Sequence, residues 1–244
     1  MDRIALRSGI VLATLVLALL PVSAAHASVI VPFPRHPDLQ AVADQVHGFT
    51  VQVRAIAFVV ERTDGPLRMR EVDNLSSGVM VGEGLVLTTL SSVSLRSPDG
   101  RVQPADQLAV LVEDVGPMPA RLLAGDTDLD VAVLQLPDQA RSLPGATLAA
   151  DDPSAGDGMV ALGVDGNSIK AVGLQLERIA TGDDAGPRLR TEHALPAPFW
   201  GGPLFDDRGQ LAGIATRGTG TEGTGVPVSL LRALLRRSLA HGGI

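Results

Sequence analysis

Apolar residues recur along this chain with two different periods, and the switch between them divides it. From Asp38 to His47 (DLQAVADQVH), Leu39, Val42 and Val46 fall on one helical face, with Asp38 placed to cap the first turn. After Gly48 the segment FTVQVRAIAFVV is rich in β-branched and apolar residues, the composition of a strand. Short runs of the same kind then recur with turn residues between them, at 77–81, 85–89, 107–112, 118–124, 131–136, 159–164, 171–179, 188–193 and 210–216. Asp165-Gly166-Asn167 reads as a hairpin tip. No long helical period appears between residues 50 and 225, which predicts an all-β barrel or sandwich and not a parallel α/β sheet. The helical period returns over 229–241, where Leu230, Leu231, Leu234 and Leu235 form a stripe. Ser229 is the expected cap and Gly242 the stop, and Arg232, Arg236 and Arg237 sit toward the end that favours cations.

Composition narrows the picture. Hydrophobic residues make up 45% of the 244, which argues against disorder. Aromatics are 2% with no tyrosine, so the core must be built from Val, Leu, Ile and Ala. A formal charge of −7 without basic clusters argues against nucleic acid and against anionic membrane surfaces as partners. Cysteine is absent, which removes disulfides, thiolate nucleophiles and cysteine-based metal sites together.

The first 27 residues read as an address. Arg3 and Arg7 make a basic start, Gly9 to Leu20 an apolar run too short to span a bilayer comfortably, and Ala25-His26-Ala27 a small-x-small cleavage site. Residues 1–27 are therefore expected to be a signal peptide cleaved after Ala27, giving an exported, periplasmic or extracellular protein with no membrane span. An uncleaved N-terminal anchor is the alternative. Residues 28–37, with VPFPRHP at 31–37, form an extended lead, and 38–244 a single folded unit.

Two motifs carry little. GTGTEGTG (218–225) contains G-x-G-x-x-G, but Val226-Pro227-Val228 follow where a dinucleotide site needs a helix to open, so a flexible loop is expected. DTDLD (126–130) resembles the start of a calcium loop, yet the buried-strand run VAVLQL follows in place of the required glycine. The histidines lack metal-ligand spacing, so neither metal nor cofactor is expected.

Three further stretches gain meaning together: SSGVMVGEGLVLTTLSSV (76–93), AGDTDLDVAVLQL (124–136) and TEHALPAPFWGGPLFDDRGQLAGIAT (191–216). In that order they resemble the His, Asp and Ser blocks of trypsin-like serine proteases of the bacterial HtrA/Deg type. GVPVS (225–229) stands where that family reads G-F-A-I-P. The resemblance covers most of residues 38–235 and includes no counterpart of the family's usual PDZ domain. It implies two perpendicular six-stranded β-barrels with a cleft between them, flanked by short N-terminal and C-terminal helices.

Carried over residue by residue, the resemblance implies a site without its chemistry. The general base falls on Ser91, which has no base-like pKa near neutrality. The orienting carboxylate falls on Asp130 and is retained. The nucleophile falls on Trp200, the sole tryptophan, and the first oxyanion donor on Pro198, which has no N–H. Loss of a triad member costs about 10⁴–10⁶ in turnover and loss of one oxyanion donor about 10²–10³. The expected function is therefore a non-hydrolysing homologue that binds a protein or peptide or serves as a subunit of an envelope complex, with an oligomeric form left open. The alternative is a serine-type endopeptidase with a rearranged site, using Ser91 or Ser92 and His193. Phe199 and Trp200 either fill the former cleft or present an aromatic anchor to a partner. Gly201, Gly202, Pro203 and Leu204 serve the turn itself.

Overall fold

The computed structural model describes residues 28–29, 39–61, 67–96, 102–181, 186–218 and 220–241. The expected signal peptide, the proline-rich lead, the Asp38 cap and the Gly242 stop lie outside them. In chain order the elements are β1 (Ser28–Val29), α1 (Leu39–Val46), β2 (Thr50–Glu61), β3 (Arg68–Met80), β4 (Leu85–Thr88), α2 (Leu90–Val93), β5 (Ser94–Arg96) and β6 (Val102–Pro104). There follow β7 (Gln107–Val112), β8 (Gly116–Asp126), β9 (Val131–Gln135), β10 (Gly158–Asp165), β11 (Ser168–Ala180) and β12 (Arg188–Thr191). The chain continues with β13 (Pro203–Phe205), β14 (Leu211–Thr216), β15 (Gly223–Pro227) and α3 (Val228–His241).

Two closed antiparallel barrels of six strands result. The first runs in the order β2-β3-β4-β9-β8-β7. The second runs β11-β10-β13-β14-β15-β12 and closes through β11 and β12, with β1 added in parallel to the β11 edge. The fold class read from the sequence is the one observed.

Strand alternation explains how two barrels share one core. In β9, Ala132 and Leu134 point into the first barrel, whereas Val131 and Val133 point out of it toward the second. In β10, Met159 and Ala161 fill the second barrel, and Val160 and Leu162 face back toward the first. The helices cover the shared layer. Leu39, Val42, Ala43 and Val46 of α1 and Leu231, Leu234 and Leu235 of α3 are buried in it, so the helical stripes read from the sequence are the packed faces.

Two local expectations change. The stretch 218–225 is not one flexible loop, because 223–227 form the buried strand β15 between β12 and β14. Its glycines serve close packing: a Cβ on Gly223 would overlap the Thr191 hydroxyl, and one on Gly225 would come 2.8 Å from the Ile214 carbonyl oxygen. Helix α3 starts at Val228, and its cap is Asp152, not Ser229. The Asp152 carboxylate accepts the Ser229 N–H at 2.9 Å and the Ser229 hydroxyl at 2.7 Å. The 126–130 segment is a turn in which Asp126 accepts the N–H groups of Asp128 and Leu129 at 3.2 and 3.0 Å. The hairpin tip at Gly166-Asn167 is present, with Asp165 paired to Ser168 and Gly166 at φ +60.

Candidate functional site

The segment that carries Ser91 is positioned by its apolar neighbours. After β4 the chain turns into the single turn α2, and Leu90 and Val93 sink into the first barrel, which leaves Ser91 at the surface. Asp130 immediately precedes β9 in a left-handed conformation, φ +55, which aims its carboxylate back at that turn. One oxygen accepts the Ser91 N–H at 2.7 Å and the other accepts the Ser91 hydroxyl at 2.8 Å. The Asp130 carbonyl takes the Leu90 N–H at 3.3 Å. Thus Ser91 and Asp130 meet, but as hydroxyl donor and carboxylate acceptor. Such a pair orients no base, because the serine oxygen has no affinity for a proton near neutral pH. Ser92 is engaged with Thr89, whose hydroxyl lies 2.8 Å away and whose carbonyl accepts the Ser92 hydroxyl at 2.8 Å. His193 is exposed and its Nδ1–H donates to the Glu192 carbonyl at 2.7 Å. No hydrogen bond from it to Ser91, Ser92, Asp130 or Trp200 is present among the described residues.

The second half of the site is the turn before β13. Pro196 precedes and Pro198 centres a single 3₁₀ turn at Ala197–Phe199. The Phe199 N–H donates to the Pro196 carbonyl at 2.9 Å and the Trp200 N–H to the Ala197 carbonyl at 3.0 Å. The Gly201 N–H reaches the Ala215 carbonyl at 2.8 Å and the Gly202 N–H the Phe199 carbonyl at 2.9 Å. Pro198 has no N–H to give. Every backbone donor from 198 to 202 is therefore absent or committed to a carbonyl of the chain, which leaves none of them for a developing negative charge.

Ser77, in sequence one strand residue among others, ties the halves together. Fully buried in β3, it donates its hydroxyl to the Pro198 carbonyl at 2.6 Å and accepts the Val164 N–H at 2.7 Å. Its own N–H donates to the Trp200 carbonyl at 3.2 Å, and its carbonyl accepts the Thr88 hydroxyl at 2.7 Å. Gly201 passes so close, at φ +81, that a Cβ there would overlap the Ser77 carbonyl oxygen. Close approach at this point explains the paired glycines.

The two aromatic side chains part company. Phe199 is 2% exposed and packs inside the second barrel with Met159, Leu176 and Leu204, so its expected part in contacting a partner is corrected: it is core. Trp200 is half-buried, its indole N–H donates to the Leu195 carbonyl at 2.9 Å, and the Arg217 guanidinium lies 4.4 Å over its ring. Arg217 follows β14 directly. Nothing in its sequence neighbourhood marks it, because only the fold brings the end of β14 beside the turn before β13.

Comparison with known proteins agrees with this architecture. Residues 76–214, more than half of the chain, match the trypsin-like peptidase domain. A probable periplasmic serine endoprotease, DegP-like, of Ectopseudomonas mendocina is 28% identical over 191 residues, which is 74% of this chain and 36% of that protein. The serine endoprotease DegS of Haemophilus influenzae is 27% identical over 194 residues, 71% of this chain and 53% of that protein. The chain thus spans between about a third and a half of these relatives' length. Among solved structures, a serine-to-alanine form of the HtrA-type protease AlgW with a decapeptide superposes with a TM-score of 0.71 at 20% identity, over 84% of this chain and 68% of that one. The active form of the Rv3671c protease from M. tuberculosis superposes with a TM-score of 0.64 at 20% identity, over 90% and 93%. Strand order, paired barrels and matched residues together make this chain a member of the trypsin-like peptidase domain family, of the HtrA type.

Proposed function

We propose that this chain is an exported, non-hydrolysing member of the family that holds a peptide or protein segment at the cleft between its barrels. Ser91, Asp130 and Trp200 stand at the positions of base, orienting acid and nucleophile, and Pro198 at that of an oxyanion donor. The observation that carries the reading is the closed hydrogen bonding around them. Asp130 is occupied by Ser91, and the N–H groups of the 198–202 turn are spent on carbonyls of the turn and, for Gly201, of Ala215 in β14. Even a nucleophile supplied from elsewhere would find neither a base nor an oxyanion site.

Export is supported by the basic, apolar and small-residue pattern of residues 1–27 and by relatives named as periplasmic proteases. Peptide holding is supported by the AlgW structure, which was solved with a decapeptide. The test is intact-mass analysis of the purified protein after incubation with a fluorophosphonate probe, beside an active HtrA-type protease. No adduct on this chain is expected. An adduct on Ser91 or Ser92 would establish the rearranged serine endopeptidase instead.

A further inference from the structure

We infer that Trp200 and Arg217 form a receptor for a carboxylate side chain on a bound peptide, a claim that rests on the peptide-holding reading above and gives it a chemical preference. Three observations carry it. Both groups are positioned in advance. The Trp200 ring is fixed through its indole N–H to the Leu195 carbonyl at 2.9 Å, and Arg217 leaves β14, a strand paired on both sides by β13 and β15. The guanidinium lies 4.4 Å over the ring, and an arginine held on an aromatic face keeps the N–H groups of its edge for an acceptor.

Secondly, that acceptor is lacking among the described residues. Arg217 is exposed, and among the described residues no carboxylate or carbonyl pairs with it. Among the described residues some arginines are paired, as Arg54 is with Asp73 at 2.7 Å and Arg178 with both oxygens of Glu222 at 3.0 Å; Arg217 differs from the exposed unpaired ones in being held over an aromatic ring. Glu222, close to Arg217 along the chain in the turn that leads into β15, is thereby withheld from it.

Thirdly, the surroundings select the kind of carboxylate. A chain terminus is commonly captured by a nest of backbone N–H groups. Here the N–H groups of Phe199, Trp200, Gly201 and Gly202 all donate within the protein, so the site offers a guanidinium fork and an aromatic ring. That pairing suits the side chain of Asp or Glu, taken by two parallel hydrogen bonds beside a hydrophobic surface.

The test uses two N-acetylated, C-amidated decapeptide libraries that differ only in a fixed central Glu or Gln. Each is titrated against the purified protein while the emission of Trp200, the sole tryptophan, is followed. The Glu library is expected to bind at least about tenfold more tightly than the Gln library, the scale of one desolvated charge pair. In Arg217→Gln the two libraries should bind within about twofold of each other, with an unchanged circular dichroism spectrum. Equal binding of both libraries by the unaltered protein would overturn the carboxylate claim and leave peptide holding intact. A Glu preference that persists in Arg217→Gln would overturn the assignment to Arg217. A Gln library with a free C-terminus that binds as tightly as the amidated Glu library would overturn the choice of side chain over terminus. Binding by none of the libraries would overturn this claim and the peptide-holding reading together.

Discussion

Trp200 is the residue whose surroundings can be measured without altering anything else. Its ring is half-buried and covered on one side by Arg217, so acrylamide should quench its emission more efficiently in Arg217→Gln than in the unaltered protein. Unchanged quenching would mean that the guanidinium does not rest there in solution. Arg54 and Asp73, paired across β2 and β3, give a pH-dependent counterpart. The hydrogen bonds from Arg54 hold the Asp73 carboxyl below its ordinary value, Coulombic attraction adds to them, and partial burial opposes both. A carboxylate with a depressed pKa contributes stability above its unfolded value and loses it as pH falls through the folded one. Since both side chains are well exposed, the contribution is expected to be only about 0.5 kcal/mol. Urea unfolding of Asp73→Asn should show that small deficit at pH 6 and none once the pH is taken well below the ordinary carboxylate range. Ser91 and Asp130 were legible in the sequence because they stand in blocks with a known order. Arg217 was not, because its role depends on a ring that is neighbouring only after folding.

At the scale of elements, the turn from Pro196 to Gly202 is held by contacts that no local pattern announces. Ser77 lies in an apolar strand run and reads as an ordinary strand position, yet it links β3, the end of β10 and the turn. Ser77→Ala leaves the Val164 N–H and the Pro198 carbonyl without their partner in a buried place, and is expected to cost about 2–3 kcal/mol in urea unfolding. A loss below about 0.5 kcal/mol would show that these groups find other partners. The cap of α3 illustrates the same limit. Ser229 has the right residue type at the right place, but the fold brings the fully charged Asp152 to the helix end and the serine becomes one of its donors. Asp152→Ala should lower stability by about 1 kcal/mol, and Ser229→Ala by less, a ranking opposite to the one the sequence alone suggests. The strand β15 escaped the sequence reading because its glycines signal a loop when their neighbours are unknown. Here they are the residues small enough to lie against Thr191 and Ile214.

For the whole molecule, the double barrel was legible because alternation is a global constraint: each barrel strand supplies a face to an interior, and Val, Leu, Ile and Ala fill most of those positions. The shared layer between barrels is apolar and contains none of the candidate site residues, so the fold does not depend on catalytic chemistry. Reinstating side chains should therefore not reinstate activity. The triple variant Ser91→His, Trp200→Ser, Pro198→Gly supplies base, nucleophile and one donor, but the N–H of residue 200 stays committed to the Ala197 carbonyl. The central claim, that the chain holds peptides without cutting them, is tested most directly by mass spectrometry of a decapeptide library incubated with stoichiometric purified protein. The expected result is full recovery of intact peptides, with no fragment above the buffer control. Fragments whose yield rises with protein concentration and is abolished by Ser91→Ala or Ser92→Ala would contradict it.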